Sequence, residues 1–224
     1  MLAEEWEREG GGSGGWSRRW EVAFSRAYER ADNAFKDKRL APHSVGSTAL
    51  VVVLSACQII ASNCGDSRAV LCRGAKTIPL TVDHKPERKE ELARIVEGGG
   101  RILYWQGMRV EGVLSMTRAI GDRDLKPWVI SVPEVTFMTR SEEDECLILA
   151  SDGLWDVMSN EEVGELACRQ LRRERRLAMT KERSSFPAQY VADFLLQAAR
   201  KKLSSDNISA IVVDLKPLRR WHQH

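Results

Sequence analysis

Strand-like and helix-like stretches are grouped along this chain, and this grouping limits the folds available to it. A helical period over residues 16–38 is followed by short apolar runs with turn residues between them. The predicted strands of this part are residues 48–54, 58–63 and 69–73, and later ones are residues 134–139 and 146–150. Short strands separated by turns favour antiparallel pairing. The order therefore predicts an α+β fold of antiparallel sheets covered by helices, and argues against a doubly wound parallel sheet.

Further signals predict where other elements begin and end. Pro86 suits the first turn of a helix that ends at residues 98–100, three consecutive glycines. Ser159 and Glu162 have the spacing of a capping box, which predicts a helix start there. The remaining predictions are a hairpin around Gln106 and Gly107, a helix at residues 187–203 and a last strand at residues 208–215.

Charge and composition exclude several classes of protein. The 224 residues carry 34 basic and 32 acidic side chains, a net charge of +2, which gives no general argument for nucleic-acid or membrane partners. A basic run at residues 169–183 fits a solvated helix end, with a nucleic-acid patch as the alternative. The N-terminal residues lack the apolar segment of a secretory signal, and the apolar run at residues 49–54 is too short to span a bilayer. We expect a soluble, monomeric protein of the cytoplasm or nucleus.

The five cysteines indicate a reducing compartment. They are odd in number and none forms a CxxC pair. Most stand within apolar runs, where cysteine acts as a small hydrophobic side chain. The sequence therefore predicts free thiols, at Cys57, Cys64, Cys72, Cys146 and Cys168.

Two segments of biased composition are interpreted as connections without a function of their own. Residues 10–15 match both G-x-G-x-x-G and G-x-S-x-G, but no strand precedes them, so they are predicted to be a flexible Gly-rich loop. Residues 216–224 are predicted to be a basic C-terminal tail.

Aspartates at strand ends are the residues that most suggest chemistry. Asp152 follows the apolar strand CLILA, Asp206 precedes the apolar strand ISAIVV, and Asp66 lies on a turn between two strands. Hard carboxylate oxygens suit Mg²⁺ or Mn²⁺. An aspartate at a strand end is, taken alone, usually a turn residue, and it is the occurrence of three in one chain that suggests a site. Spacing leaves open whether the three meet in space.

Five further segments stand out: NCGDSRAVLCR (63–73), LTVDHKP (80–86), GVLSMTRAIGD (112–122), LILASDGLWDVM (147–158) and SDNISAIVVDL (205–215). Together they resemble the motifs of type 2C protein phosphatases, metal-dependent enzymes that act on phosphoserine and phosphothreonine. The resemblance implies two antiparallel β-sheets packed as a sandwich and flanked by helices. It also implies that a hydroxide bridging two Mg²⁺ or Mn²⁺ ions attacks the phosphoryl group of a phosphoprotein. Asp152 and Asp206 match ligands of these two ions, and Asp66 and Asp156 match acids of a weaker third metal site.

A narrower resemblance concerns residues 99–113, GGRILYWQGMRVEGV, which are similar to the plant branch that acts as abscisic acid co-receptors. In that branch a tryptophan at the position of Trp105 enters the gate of the hormone-bound receptor. The resemblance implies receptor contacts by Trp105 and Arg109. The alternative is an aromatic residue that covers local core at a hairpin tip. Glu111 departs from the bulky apolar residue of that branch, and a carboxylate at an apolar contact is costly unless it stays hydrated.

The DGHGG motif of the family and its preceding strand do not occur in the sequence. Residues 1–215 are therefore interpreted as a partial type 2C catalytic domain that begins just after that motif. The motif supplies a metal-bridging aspartate, so we expect weak metal binding and little turnover. The alternative function is a catalytically inactive module that docks hormone receptors or protein kinases through the face that carries Trp105.

Overall fold

The computed structural model describes residues 1–8, 15–37, 39, 41–179 and 186–216. The chain divides into two compact units, Met1–Ser67 with Thr81–Met138, and Arg68–Leu80 with Thr139–His224. Most of the predicted loop at residues 10–15 and of the predicted tail at residues 216–224 lies outside the described residues.

The described part of the chain alternates between groups of strands and groups of helices. The helices are α1 (Leu2–Arg8), α2 (Trp16–Ala34), α3 (Lys89–Glu97), α4 (Asp152–Trp155), α5 (Asn160–Met179) and α6 (Pro187–Lys201). The strands are β1 (Gly46–Ser47), β2 (Ala49–Leu54), β3 (Gln58–Cys64), β4 (Arg68–Arg73), β5 (Lys76–Pro79), β6 (Ile102–Tyr104), β7 (Met108–Val110), β8 (Ile120–Gly121), β9 (Glu134–Thr139), β10 (Asp144–Ala150) and β11 (Ala210–Asp214). A short 3-10 helix spans Arg123–Leu125.

The first unit is built on a three-stranded sheet in the order β2-β3-β9. Strands β2 and β3 pair antiparallel, from Ala49 opposite Cys64 to Leu54 opposite Ile59. Helix α2 covers this sheet because its aromatic residues recur at helical spacing, and Phe24 and Tyr28 pack into the same core as Ile60. The Tyr28 hydroxyl lies 3.1 Å from the Ser62 carbonyl oxygen, so its polar end is satisfied although it is buried.

A second core of the first unit lies beneath α3 and the β6–β7 hairpin. It is formed by Ile95, Val110, Ala119, Leu125 and Val129. The hairpin pairs Ile102 with Val110 and Tyr104 with Met108. Val110 of β7 belongs to this core and Ile102 of β6 packs against it, so the core holds the hairpin in place on the unit.

The second unit contains a four-stranded antiparallel sheet in the order β11-β10-β4-β5. Strand β10 is central, and its Leu147 pairs with Leu71 on one side and with Val213 on the other. One face of this sheet is apolar and is covered by α5 and α6, which contribute Val163, Leu171, Val191 and Leu195 to the core. This arrangement buries both β10 and β4 and fixes where β10 ends.

The antiparallel sheets and covering helices confirm the predicted α+β class. One helix start was predicted wrongly: α3 begins at Lys89, since Arg88 has extended dihedrals (φ −70°, ψ 121°) and Pro86 lies in the preceding turn. The capping box is half confirmed, because the Ser159 hydroxyl accepts a hydrogen bond from the Glu162 N–H (3.2 Å). In the described residues, no helix combines the length and apolar character needed to cross a membrane.

Candidate metal-binding site

Asp152 stands where the central strand of the second unit turns into a helix. It is the half-buried first residue of α4, directly after Ser151, and β10 ends at Ala150. The Trp155 indole N–H donates a hydrogen bond to the Ala150 carbonyl (3.0 Å), which folds α4 back onto the end of β10. The buried strand and the tethered helix together set the position of the Asp152 backbone.

The segment that carries Asp206 is hydrogen-bonded to the segment that carries Asp152. The pairing of Ala150 with Ala210 continues past the strands, because the Ser151 N–H donates to the Ser209 carbonyl (3.0 Å). The Ser209 N–H in turn donates to the Ser151 hydroxyl oxygen (3.1 Å). The Ser151 hydroxyl also lies 3.3 Å from the Asn207 carbonyl oxygen. The structure therefore brings the two predicted metal-ligand segments together, although they are more than 50 residues apart in sequence.

Gly153 allows this close approach. A Cβ atom at this position would lie 2.5 Å from the Asn207 carbonyl oxygen, well inside van der Waals contact. The Ser204 hydroxyl donates to the Gly153 carbonyl (2.7 Å) and closes the contact from the other side. The glycine of the SDG sequence thus has a packing reason that sequence reasoning missed.

The carboxylates at this edge are accessible. Asp206 is exposed, and its Oδ1 accepts a hydrogen bond from the Asn207 N–H (2.6 Å), which orients the carboxylate. Asp156 is exposed at the end of α4, and its N–H donates to the Asp152 carbonyl (2.8 Å). Among the described residues, three Asp, Glu or His side chains do not converge within 4.8 Å at any place. The described residues at this edge therefore provide no set of three converging carboxylate or histidine ligands.

Asp66 belongs to the first unit and already has a cationic partner. Its side chain is 2% exposed and forms an ion pair with the Lys85 ammonium. The neighbouring Gly65 N–H donates to Nδ1 of His84 (3.1 Å), and burial lowers the pKa of His84, so a neutral ring can accept this bond. The involvement of Asp66 in a third metal site stays a prediction.

The two residues predicted to contact a receptor lie on the β6–β7 hairpin. Trp105 is 68% exposed at its tip, so it does not cover local core. Arg109 donates from Nε to the Trp105 carbonyl (2.8 Å) and from Nη1 to the Val113 carbonyl (2.7 Å). Arg109 therefore braces the turn that presents Trp105.

Glu111, beside this hairpin, is paired locally. Its Oε1 accepts from the Arg101 backbone N–H (2.7 Å) and its Oε2 accepts from the Arg101 guanidinium (2.8 Å). Hydrogen bonds from Arg101 hold the pKa of Glu111 below its usual range, so the carboxylate stays ionised. Arg101 thus pairs with the carboxylate that stands at position 111 in place of the bulky apolar residue of the plant branch.

Comparison with known proteins identifies the family. The model of the family described as "Protein phosphatase 2C" matches residues 14–208. The chain belongs to the protein phosphatase 2C family. Enzymes of this family are metal-dependent protein phosphatases, which agrees with the carboxylates found at the end of β10.

Curated relatives from plants are similar over most of this chain. "Probable protein phosphatase 2C 6" from Oryza sativa subsp. japonica is 49% identical over 228 residues, covering 94% of this chain and 48% of the relative. "Protein phosphatase 2C 16" from Arabidopsis thaliana is 47% identical, covering 90% of this chain and 43% of the relative. The chain therefore spans about half the length of the curated relatives it matches.

Solved structures support the same protein phosphatase 2C fold. A serine-threonine phosphatase 2C from Toxoplasma gondii is similar with a TM-score of 0.74 and 25% identity, covering 96% of this chain and 75% of that chain. A C. elegans sex determining protein is similar with a TM-score of 0.78 and 24% identity, covering 97% of this chain and 52% of that chain. The second likeness concerns the fold alone.

Proposed function

We propose that this chain carries part of the metal-binding site of a phosphatase that hydrolyses phosphoserine and phosphothreonine in proteins. The observation that supports this most is the hydrogen-bonded contact between the Ser151 region and the Asn207–Ser209 region. That contact brings Asp152 and Asp206 to one edge of the second unit. Both residues match the family's metal-ligating aspartates, and family membership supplies the reaction class.

The donor set at this edge fits Mg²⁺ or Mn²⁺. Asp152 and Asp206 offer hard carboxylate oxygens, and Asp206 and Asp156 are open to solvent, as ions that retain water ligands require. When bound, such ions acidify a water molecule to a nucleophile and offset the charge of the phosphoryl group. The chain itself orients the Asp206 carboxylate through the Asn207 N–H, and holds Asp152 by the end of β10.

We further propose that the 224-residue polypeptide binds these ions weakly and turns over little substrate. A site for two divalent ions needs more carboxylates than one pair, because each ion takes several oxygen ligands. No set of three acidic or histidine side chains converges among the described residues.

Mn²⁺ titration of the purified polypeptide, followed by electron paramagnetic resonance, tests the assignment. We expect weak Mn²⁺ binding by the wild type, and at least roughly tenfold weaker binding in Asp152→Asn and in Asp206→Asn. Asp193→Asn, which changes an exposed aspartate on α6, is the control and should bind as the wild type does. Equal Mn²⁺ binding by all four proteins would refute the metal assignment.

Hydrolysis of a phosphothreonine peptide in Mn²⁺ tests the level of activity separately. We expect the wild-type rate to lie close to that of Asp152→Asn. Robust Mn²⁺-dependent hydrolysis that disappears in Asp152→Asn would contradict the proposal of low turnover, while it would support the assignment of Asp152.

A second function is favoured by the exposed hairpin. We propose that the β6–β7 hairpin docks abscisic acid receptors, with Trp105 as its anchor. Besides Trp105, the exposed apolar residues here are Leu103 (44%), Tyr104 (82%), Met108 (38%) and Val113 (60%). An exposed apolar cluster with a central tryptophan is typical of a protein-binding surface. The Glu111 carboxylate, which lies beside this apolar cluster, is paired with the Arg101 guanidinium.

A pull-down with an abscisic acid receptor, with and without the hormone, measures this docking. We expect hormone-dependent binding that Trp105→Ala weakens at least about 30-fold, since buried tryptophan anchors contribute about 2 kcal/mol or more. Phe186→Ala is a matched control, because Phe186 is an aromatic residue with 70% exposure in the second unit. Binding without phosphatase activity would favour the module that docks without catalysis, and equal binding by Trp105→Ala would contradict the docking proposal.

A further inference from the structure

Three of the five free cysteines converge inside the second unit. Cys72 lies on β4, Cys146 on β10 and Cys168 on α5. Their Sγ atoms all lie within 4.8 Å of one another, and no disulfide joins them. In the described part of the chain, this is the one place where three side chains of metal-ligating type meet at such distances.

Sheet register and helix packing produce this convergence. Cys72 and Cys146 are direct partners in the antiparallel pairing of β4 with β10, so both side chains point to the same face of the sheet. Helix α5 covers that face and brings Cys168 over the pair. Gly164, one turn earlier, permits the close approach, since a Cβ there would lie 2.5 Å from the Thr77 Oγ1 and 3.3 Å from the Cys72 Sγ.

The cluster is enclosed, and Cys168 is its least buried member. Cys146 is fully buried, Cys72 is 1% exposed, and Cys168 is half-buried. The core around them is apolar and includes Val70, Ile148 and Leu171. Such surroundings exclude competing water ligands from the three sulfurs.

We propose that Cys72, Cys146 and Cys168 bind one soft metal ion, Cu(I), through three sulfur ligands. Soft thiolates select Cu(I) or Zn²⁺ over Mg²⁺ and Mn²⁺. Structural Zn²⁺ takes four ligands, and no fourth Cys, His, Asp or Glu joins this group among the described residues. Each Cu–S bond forms as a thiol proton leaves to solvent, and copper stays in the +1 state.

The charged side chains that follow Cys168 on α5, together with their partners, carry a net positive charge. Arg172 and Arg175 follow Cys168 by one and two turns of α5. Both pair with Glu145, Arg175 also pairs with Asp214, and Lys216 approaches Glu145 at 4.0 Å. Three cations thus face two carboxylates in this network. The remaining positive charge favours the negative charge that bound thiolates carry.

Anaerobic titration of the purified, reduced protein with Cu(I), against a competing chromogenic chelator, tests the site. We expect one Cu(I) per chain and ultraviolet absorption from sulfur-to-copper charge transfer. Cys168→Ala should bind at least about 100-fold more weakly, because loss of a ligand exceeds the 10–100-fold effect of losing a group that merely supports one. Alanine suits this helical, half-buried position, so the variant should fold.

The exposed Cys57, in the turn between β2 and β3 of the first unit, provides the control. Cys57→Ser should bind Cu(I) as the wild type does. Loss of binding in Cys57→Ser but not in Cys168→Ala, or the absence of stoichiometric binding by the wild type, would overturn the proposal. If the circular dichroism spectrum shows that Cys168→Ala does not fold, X-ray absorption of the Cu(I)-loaded wild type tests the site instead. Three sulfur neighbours around copper would support the proposal, and two or fewer would refute it.

Discussion

A single buried carboxylate, Glu91, holds together several parts of the first unit. Its side chain is 2% exposed, and its Oε2 accepts hydrogen bonds from Arg94 (2.8 Å) and from the Thr117 hydroxyl (2.7 Å). Its Oε1 accepts from Arg118, which also reaches Glu134 (3.1 Å). Burial raises the pKa of Glu91, but the hydrogen bonds from Arg118, Arg94 and Thr117 outweigh burial and lower that pKa to about 2.

Glu91→Gln should destabilise the protein by about 3 kcal/mol at pH 7, because it removes a buried charge that pairs with Arg94 and Arg118, and Arg118 keeps only the partly exposed Glu134. The folded-state pKa of Glu91 is depressed, so its stabilising effect is fully present above the unfolded pKa of about 4.3. The effect falls as pH drops from there toward about 2. Urea unfolding at pH 7 and pH 3 should therefore show a smaller difference between the two proteins at pH 3.

The neighbouring Glu90 is a matched control for Glu91. Its side chain is 74% exposed and meets Arg88 at 3.3 Å. Glu90→Gln should change the free energy of unfolding by less than about 0.5 kcal/mol at either pH. A loss of stability in Glu91→Gln that is independent of pH would show that its ionisation is not what matters.

Among secondary-structure elements, the junction of β10, α4 and β11 determines the candidate site. Helix α4 has only four residues and depends on its tethers, the Trp155 bond to Ala150 and the Ser204 bond to Gly153. The space at Gly153 lets the Asn207 backbone lie against α4. The relative position of Asp152 and Asp206 therefore depends on the backbone contact between Gly153 and Asn207.

Gly153→Ala should disturb this junction. The added methyl would lie 2.5 Å from the Asn207 carbonyl oxygen, and backbone must move to admit it. We expect a loss of about 1–3 kcal/mol in the free energy of unfolding and weaker Mn²⁺ binding, measured by urea unfolding and by metal titration. Gly15→Ala, where a Cβ meets nothing within 4 Å, should leave Mn²⁺ binding unchanged. Wild-type Mn²⁺ affinity in Gly153→Ala would contradict the dependence of the site on this contact.

Element boundaries show where sequence patterns succeed and where they do not. The long helix α2 and the short strand β9 were predicted, because apolar residues recur at helical spacing in the first and at every second position in part of the second. Strand β5 and helix α4 were missed, since four residues are too few to show a period. The start of α3 was misplaced because Pro86 fits a turn as well as the first turn of a helix.

At the scale of the whole molecule, the chain supplies two units that each have an apolar core. The core of the second unit gathers residues from β4, β10, α5, α6 and β11. The cores of the first unit lie beneath α2 and beneath α3. The family model matches residues 14–208, which include parts of both units. The assignment to the family therefore rests on most of the chain and not on a single motif.

The sequence by itself determined the α+β class, the resemblance to type 2C phosphatases, and the identity of Asp152 and Asp206 as candidate ligands. Only the tertiary structure decided that Ser151 meets Asn207, that Glu111 pairs with Arg101, and that three cysteines on separate elements converge. Hydrophobic periodicity and turn residues act over a few neighbours, so they can be read along the chain. Contacts between distant residues depend on strand register and on which helix covers which sheet face, and both are set by the packing of the folded core.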